Sequence, residues 1–169
     1  MIRVCFHGAE STGKSTLAVT LARAFGAPLV TEYGRTYAET VTTKFTMDDL
    51  KVIAREQDKA MRAAAAHDPR LIMLDTDPLM TAAWAQMLFG RIPDELLAYD
   101  KAELYLLFEP DVPWVFDSTR FFGLHEARSQ FAGIAEDVLK QAGVRFERIS
   151  GDWPEREAKA RAAIEAALG

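Results

Sequence analysis

The apolar run Ile2-Arg3-Val4-Cys5-Phe6 leads into Gly8-Ala9-Glu10-Ser11-Thr12-Gly13-Lys14-Ser15, and Leu17, Ala18, Leu21, Ala22 and Phe25 then recur at helical spacing. The order strand, glycine-bounded loop, helix constrains this chain more than any other feature. Gly8 and Gly13 admit backbone conformations that residues with a Cβ resist. The loop between them can wrap with its N–H groups turned inward on an anion. The helix that opens near Lys14 adds the positive end of its dipole. In such a loop the lysine reaches the β- and γ-phosphates and the following hydroxyl binds Mg²⁺, roles that fall to Lys14 and Ser15. The pattern predicts a nucleoside triphosphate site of the P-loop type.

A length of 169 residues predicts a single domain spanning 1–169, long enough for a substantial core. The net charge of −5, with no run of five or six basic residues, disfavours non-specific nucleic-acid binding. The lone cysteine, Cys5, sits within the first strand as a small core side chain. No stretch approaches 18 consecutive apolar residues and no leader pattern precedes the first strand, so a cytoplasmic protein without a membrane span is expected. Nothing in the sequence excludes a homo-oligomer.

Further short apolar runs at 28–30, 71–74, 104–108 and 144–149 predict strands, and helical patterns lie between them. The result is a three-layer α/β fold on a five-stranded parallel sheet buried on both faces. Ligands in such folds bind beyond the carboxyl ends of the strands. Acidic residues collect there. Asp75 ends its apolar run as a metal-orienting carboxylate does, with Asp77 two residues on as a substrate contact or a helix cap. Glu32 and Arg35 are three apart after the second strand, either a surface ion pair or an acceptor site in which Glu32 takes the proton of an attacking hydroxyl. Gln57 lies on an apolar helix stripe, where its amide needs partners, from a ligand or from neighbouring backbone. The aromatic segment 112–123 has no period and predicts a lid, about 110–128, in which Arg120 and, less strongly, Arg128 stabilise the migrating phosphoryl. For Arg128 the alternative is an exposed helix face.

Gly8 to Thr16, Glu32-Tyr33-Gly34-Arg35, Asp75-Thr76-Asp77 and Pro113-Trp114-Val115-x-Asp117-x-x-Arg120 occur together in this order. In these residues the chain resembles the ribosylnicotinamide kinase domains of the NadR group of NAD-biosynthesis proteins, with related stand-alone P-loop ATPase and kinase domains. The likeness runs from about residue 3 to about residue 160. It implies a nucleoside-kinase-like fold, strand order 2-3-1-4-5, and phosphorylation of the 5′-hydroxyl of nicotinamide riboside or another nucleoside by ATP with Mg²⁺. On this likeness Gly8, Glu10, Ser11, Thr12, Gly13, Lys14, Ser15 and Thr16 hold ATP, and Asp152 and Trp153 lie near adenine. Ser15 and Asp75 serve the metal, Lys14, Glu32, Asp75 and Arg120 the chemistry. Glu32, Tyr33, Arg35, Gln57, Asp77 and Asp117 serve the acceptor. Tyr33, Tyr37 or Trp84 would supply the ring that stacks on the base. The rival expectation is a regulatory P-loop ATPase, or a nucleotide-controlled binding module, without a small acceptor. A GTPase is disfavoured because no Asn-Lys-x-Asp follows any strand.

Overall fold

The computed structural model describes residues 1–113, 115 and 125–169, without the side chain of His125. Asp117 and Arg120 therefore lie outside the described residues, with the central part of the expected lid. The chain runs β1 (Ile2–Gly8), α1 (Lys14–Phe25), β2 (Leu29–Val30), α2 (Tyr33–Thr40), α3 (Met47–Ala65), β3 (Leu71–Asp75), α4 (Pro78–Phe89), α5 (Asp94–Ala98), β4 (Leu104–Phe108), α6 (His125–Gln141), β5 (Phe146–Ile149) and α7 (Trp153–Leu168). All strand pairs are parallel, in the order β2-β3-β1-β4-β5, as the resemblance implies.

Alternation along the strands divides the core in two. Val4 and Phe6, Leu71 and Met73, Leu104 and Leu106 face α1 and α7, with Ala18, Leu21 and Ile164. Cys5, Ile72, Leu74, Tyr105 and Leu107 face the opposite layer, with Ile53, Leu79, Phe131 and Leu139. Helix α4 is apolar on nearly every side because it is wedged between α3 and α6. The central strands β3 and β4 are wholly buried, but β5 exposes Glu147 and Arg148. This corrects the expectation of a sheet covered on both faces throughout: β5 is an edge, and it starts at Phe146 rather than 144.

The strand order brings the carboxyl ends of β1 and β3 side by side, and the loop after β1 opens at that rim. Gly8 is required there. Its φ is +130°, and a Cβ would come 2.5 Å from the Phe108 carbonyl oxygen of β4.

Candidate active site

A cleft of about 410 Å³ opens at this rim. One end is the phosphate loop. Gly8, Glu10, Ser11, Thr12, Gly13, Lys14, Ser15 and Thr16 all line it. Helix α1 has Gly13 as N-cap, with no side chain bonded to its first turn and no acid there, so its N–H groups face the cleft. Ser11 has φ +56° and Gly13 φ +85°, the left-handed turns that curl a backbone around an anion. The Lys14 ammonium donates to the Ala9 carbonyl at 2.8 Å, and the Thr12 hydroxyl donates to the same oxygen at 2.9 Å. Burial holds the Lys14 pKa down, against the opposing pull of Glu32, Asp75 and Glu10.

The other end is aromatic. Phe45, Trp84 and Phe131 line it, with Leu50, Ile53 and Met80. Trp84 meets Phe45 edge-on with centroids 6.3 Å apart and Phe131 at 5.0 Å. Of the three rings named for stacking, Trp84 lines the cleft, whereas Tyr33 and Tyr37 stand behind Phe45. The Tyr37 hydroxyl donates to Asp49. Phe45 and Phe131 were not anticipated as cleft walls. Phe131 reads as helix core, and Phe45 is marked only by its place just before the Thr46–Asp49 capping box of α3.

Glu32 and Arg35 also line the cleft, with Glu32 in the electrostatic reach of Lys14, Asp75 and Glu10. Glu32 occupies the N-cap of α2, yet its carboxylate makes no capping hydrogen bond. Burial raises its pKa to about 7, helped by the Asp75 carboxylate and opposed by Lys14 and Arg35. A carboxyl poised near neutrality on the wall of a cleft is suited to accept a proton.

Asp75 is 5% exposed and near enough to act on both Glu32 and Lys14. Its Oδ1 is buried without a hydrogen-bond partner among the described residues. A buried acceptor of this kind, with the Ser15 hydroxyl on the cleft wall, fits a hydrated Mg²⁺. Thr76 next to it has φ +70°, rare for a β-branched residue. Its carbonyl accepts from Gln57 Nε2 at 3.3 Å, while Gln57 Oε1 accepts the Tyr33 N–H at 2.8 Å. Gln57 thus ties the turn after β2 to the turn after β3 and also borders the cleft.

Asp77 does not line the cleft, and its helix-cap alternative describes it. Oδ1 accepts the Leu79 N–H at 3.0 Å, and Oδ2 accepts the Tyr105 hydroxyl. Burial pushes its pKa to about 6, with those bonds pulling the other way. Asp152 caps α7 in a capping box with Glu155. Trp153 leans its ring against Gly13, 2.6 Å from where a Cβ would stand. Neither Asp152 nor Trp153 lines the cleft.

Arg128 is neither on an exposed face nor extended over the cleft. It is 4% exposed and donates to the carbonyls of Glu10, Ser11 and Val112. Arg156, unmarked by any motif, is 1% exposed and donates to Thr12, Gly151 and Glu109 carbonyls and to the Asp111 carboxylate.

A five-stranded parallel sheet in this order, with a glycine-bounded phosphate loop after its central strand, defines a P-loop protein with the fold of nucleoside and nucleotide kinases. The chain belongs to the AAA domain family, whose pattern it matches over residues 3–156. It is 28% identical over 156 residues to the trifunctional NAD biosynthesis/regulator protein NadR of Escherichia coli (strain K12), covering 86% of this chain and 37% of that protein. The Salmonella typhimurium (strain LT2) counterpart matches to the same extent. The chain thus spans little more than a third of the length of these relatives. Among solved structures, a NadR protein in complex with NR superposes with a TM-score of 0.82 at 24% identity, over 99% of this chain and 52% of that one. Thymidylate kinase from Ehrlichia chaffeensis superposes with a TM-score of 0.72 at 16% identity, over 97% and 98% of the two chains. The NadR likeness read from the motifs is therefore found in both sequence and fold. No helix among the described residues is long and apolar enough to cross a membrane.

Proposed function

We propose that this chain is an ATP-dependent kinase that transfers the γ-phosphoryl group to the 5′-hydroxyl of nicotinamide riboside or a similar nucleoside. One observation carries the reading: one cleft is lined by the phosphate loop, by an aromatic cluster and by the Glu32 carboxylate, which interacts with Lys14. Its volume suits a small ligand, and its two ends are unlike in the way a triphosphate and a nucleoside base are unlike. NadR proteins, one of them solved with NR bound, are similar to this chain and support nicotinamide riboside as the acceptor to test first.

In the proposed reaction the loop N–H groups and the α1 N-terminus hold the triphosphate. Lys14 exchanges its Ala9 contact for phosphate oxygens and offsets charge as the γ-phosphoryl leaves ADP. Glu32 accepts the proton of the attacking hydroxyl, and Arg35 orients the ribose from the first turn of α2. Ser15 and Asp75 would hold Mg²⁺, which supplies charge neutralisation when bound. Arg120 is assigned, from its motif alone, as the guanidinium facing the migrating group. Catalysis of this kind rests mainly on positioning and charge, so the base contributes less than the loop.

The test is a panel of nucleosides, nicotinamide riboside included, incubated with ATP and Mg²⁺ and scored by mass spectrometry. A nucleoside gaining one phosphoryl group supports the reading. ATP hydrolysis that no nucleoside stimulates, with no phosphorylated product, refutes it in favour of a regulatory ATPase.

A further inference from the structure

The two buried arginines converge on one stretch of backbone. Arg128 Nε donates to the Glu10 carbonyl at 3.1 Å and Nη2 to the Ser11 carbonyl at 2.9 Å. Arg156 Nη1 donates to the Thr12 carbonyl at 3.2 Å. Three successive carbonyls of the phosphate loop are thus held from behind by two guanidinium groups that come from helices α6 and α7, far away in sequence. In a trans peptide the carbonyl of one residue and the N–H of the next point in opposite directions. Holding the oxygens of 10, 11 and 12 outward therefore turns the N–H groups of Ser11, Thr12 and Gly13 the other way, to the side the cleft occupies.

The clamp also meets a local need. Ser11 takes φ +56°, a left-handed conformation that a residue with a Cβ adopts only at a cost. Arg128 grips the carbonyls on both sides of that Cα, so the strained turn is fixed by one rigid fork. Both guanidinium groups are anchored at their other ends. Arg128 Nη1 donates to Val112, and Arg156 donates to Gly151, Glu109 and Asp111. These partners stand after β4 and β5, so the loop is tied to the sheet through them. A buried cation needs hydrogen-bond partners, and both have several, the Asp111 carboxylate among those of Arg156.

We propose that Arg128 and Arg156 are positioning residues that preset the phosphate loop in its anion-gripping shape from outside the cleft. This inference rests on the triphosphate-binding half of the kinase reading and on no choice of acceptor. Neither side chain is among the residues that line the cleft. Each acts through the backbone, and each adds positive charge behind an anion site.

The test compares the wild-type chain with Arg128→Met, Arg156→Met and the corresponding lysine variants. Affinities for AMP-PNP, inorganic tripolyphosphate and nicotinamide riboside are measured by calorimetry, with the thermal midpoint alongside. Each methionine variant is expected to weaken AMP-PNP and tripolyphosphate by the same factor, about tenfold or more, the scale of one charge-assisted hydrogen bond. Nicotinamide riboside binding is expected to hold. Lysine should restore only part of the loss, because one ammonium cannot span carbonyls that a planar fork bridges. Where a methionine variant does not fold, its lysine partner carries the same comparison. Equal tripolyphosphate affinity in wild type and folded variants would overturn the proposal, as would an equal loss for phosphate and nucleoside ligands. A wild type that grips tripolyphosphate but phosphorylates no nucleoside refutes the kinase and leaves the clamp standing. A wild type that does not bind tripolyphosphate overturns both.

Discussion

Replacing Glu32 by glutamine separates a catalytic carboxylate from a structural one, because the two predict opposite effects on stability. In the folded chain the Glu32 pKa is raised from 4.5 to about 7, by burial first and by Asp75 second. Below pH 4.5 the carboxyl is protonated in both folded and unfolded chains and carries no penalty. Between pH 4.5 and about 7 the folded chain holds a proton that the unfolded chain has lost, and stability falls as pH rises. Above about 7 the whole penalty stands. At 1.36 kcal/mol per unit, the shift amounts to about 3 kcal/mol. Glutamine has the same shape and never ionises. Glu32→Gln should therefore gain up to about 3 kcal/mol on the wild type between pH 4.5 and pH 8. Urea unfolding of the nucleotide-free protein at these two pH values, with the slope m held in common, reads the difference directly. In the same variant turnover should fall about 10²-fold while AMP-PNP binds as before. A stability gap that does not move with pH, or a fully active glutamine variant, would refute the assignment of Glu32 as a strained, proton-accepting carboxylate.

Lys14→Ala should lower turnover by at least about 10²-fold, the scale of removing one preorganised donor to developing charge, and retained turnover in a steady-state ATP assay refutes the loop assignment. Trp84→Leu should raise the acceptor KM by about tenfold, consistent with about 1–3 kcal/mol for stacking on a base, and leave the ATP KM unchanged. A matching rise in both constants would show that Trp84 merely supports the fold. Asp77→Asn keeps an N-cap oxygen and should hold turnover within about twofold, since asparagine caps as well as aspartate. A large loss of turnover at an unchanged thermal midpoint would return Asp77 to the acceptor site.

Much of this was legible because the phosphate loop encodes its own backbone. Gly8 and Gly13 stand where φ is +130° and +85°, so their identity reports their conformation. β3 and β4 read as continuous apolar runs, and β1 as one broken by Arg3, because they lie in the middle of the sheet. β2 and β5 are edges, and there the run of apolar residues overstates or misplaces the strand. The acids at the strand ends were harder to sort, since capping and catalysis draw on the same residue types. Asp77 and Asp152 cap helices, while Glu32 at a cap position does not. Only geometry separates them. The buried arginines had a signal that went unread. Arg156 shares an inward stripe with Ala160 and Ile164 at four-residue spacing, and Arg128 precedes Phe131 and Ala135 on another. An arginine on an apolar stripe must find acceptors inside the protein. Which acceptors it finds depends on contacts more than a hundred residues apart, and no local pattern carries them.

Strand β2 is only two residues long, and it joins the sheet through Leu29 opposite Met73 and Val30 opposite Leu74 alone. One wall of the chamber, carried on α2, Phe45 and the start of α3, hangs from that slender hem, while Trp84, Met80 and Phe131 stand on α4 and α6. The triphosphate grip is set instead into the two broadest seams of the sheet. Substitutions on that wall can therefore accumulate without loosening the phosphate loop.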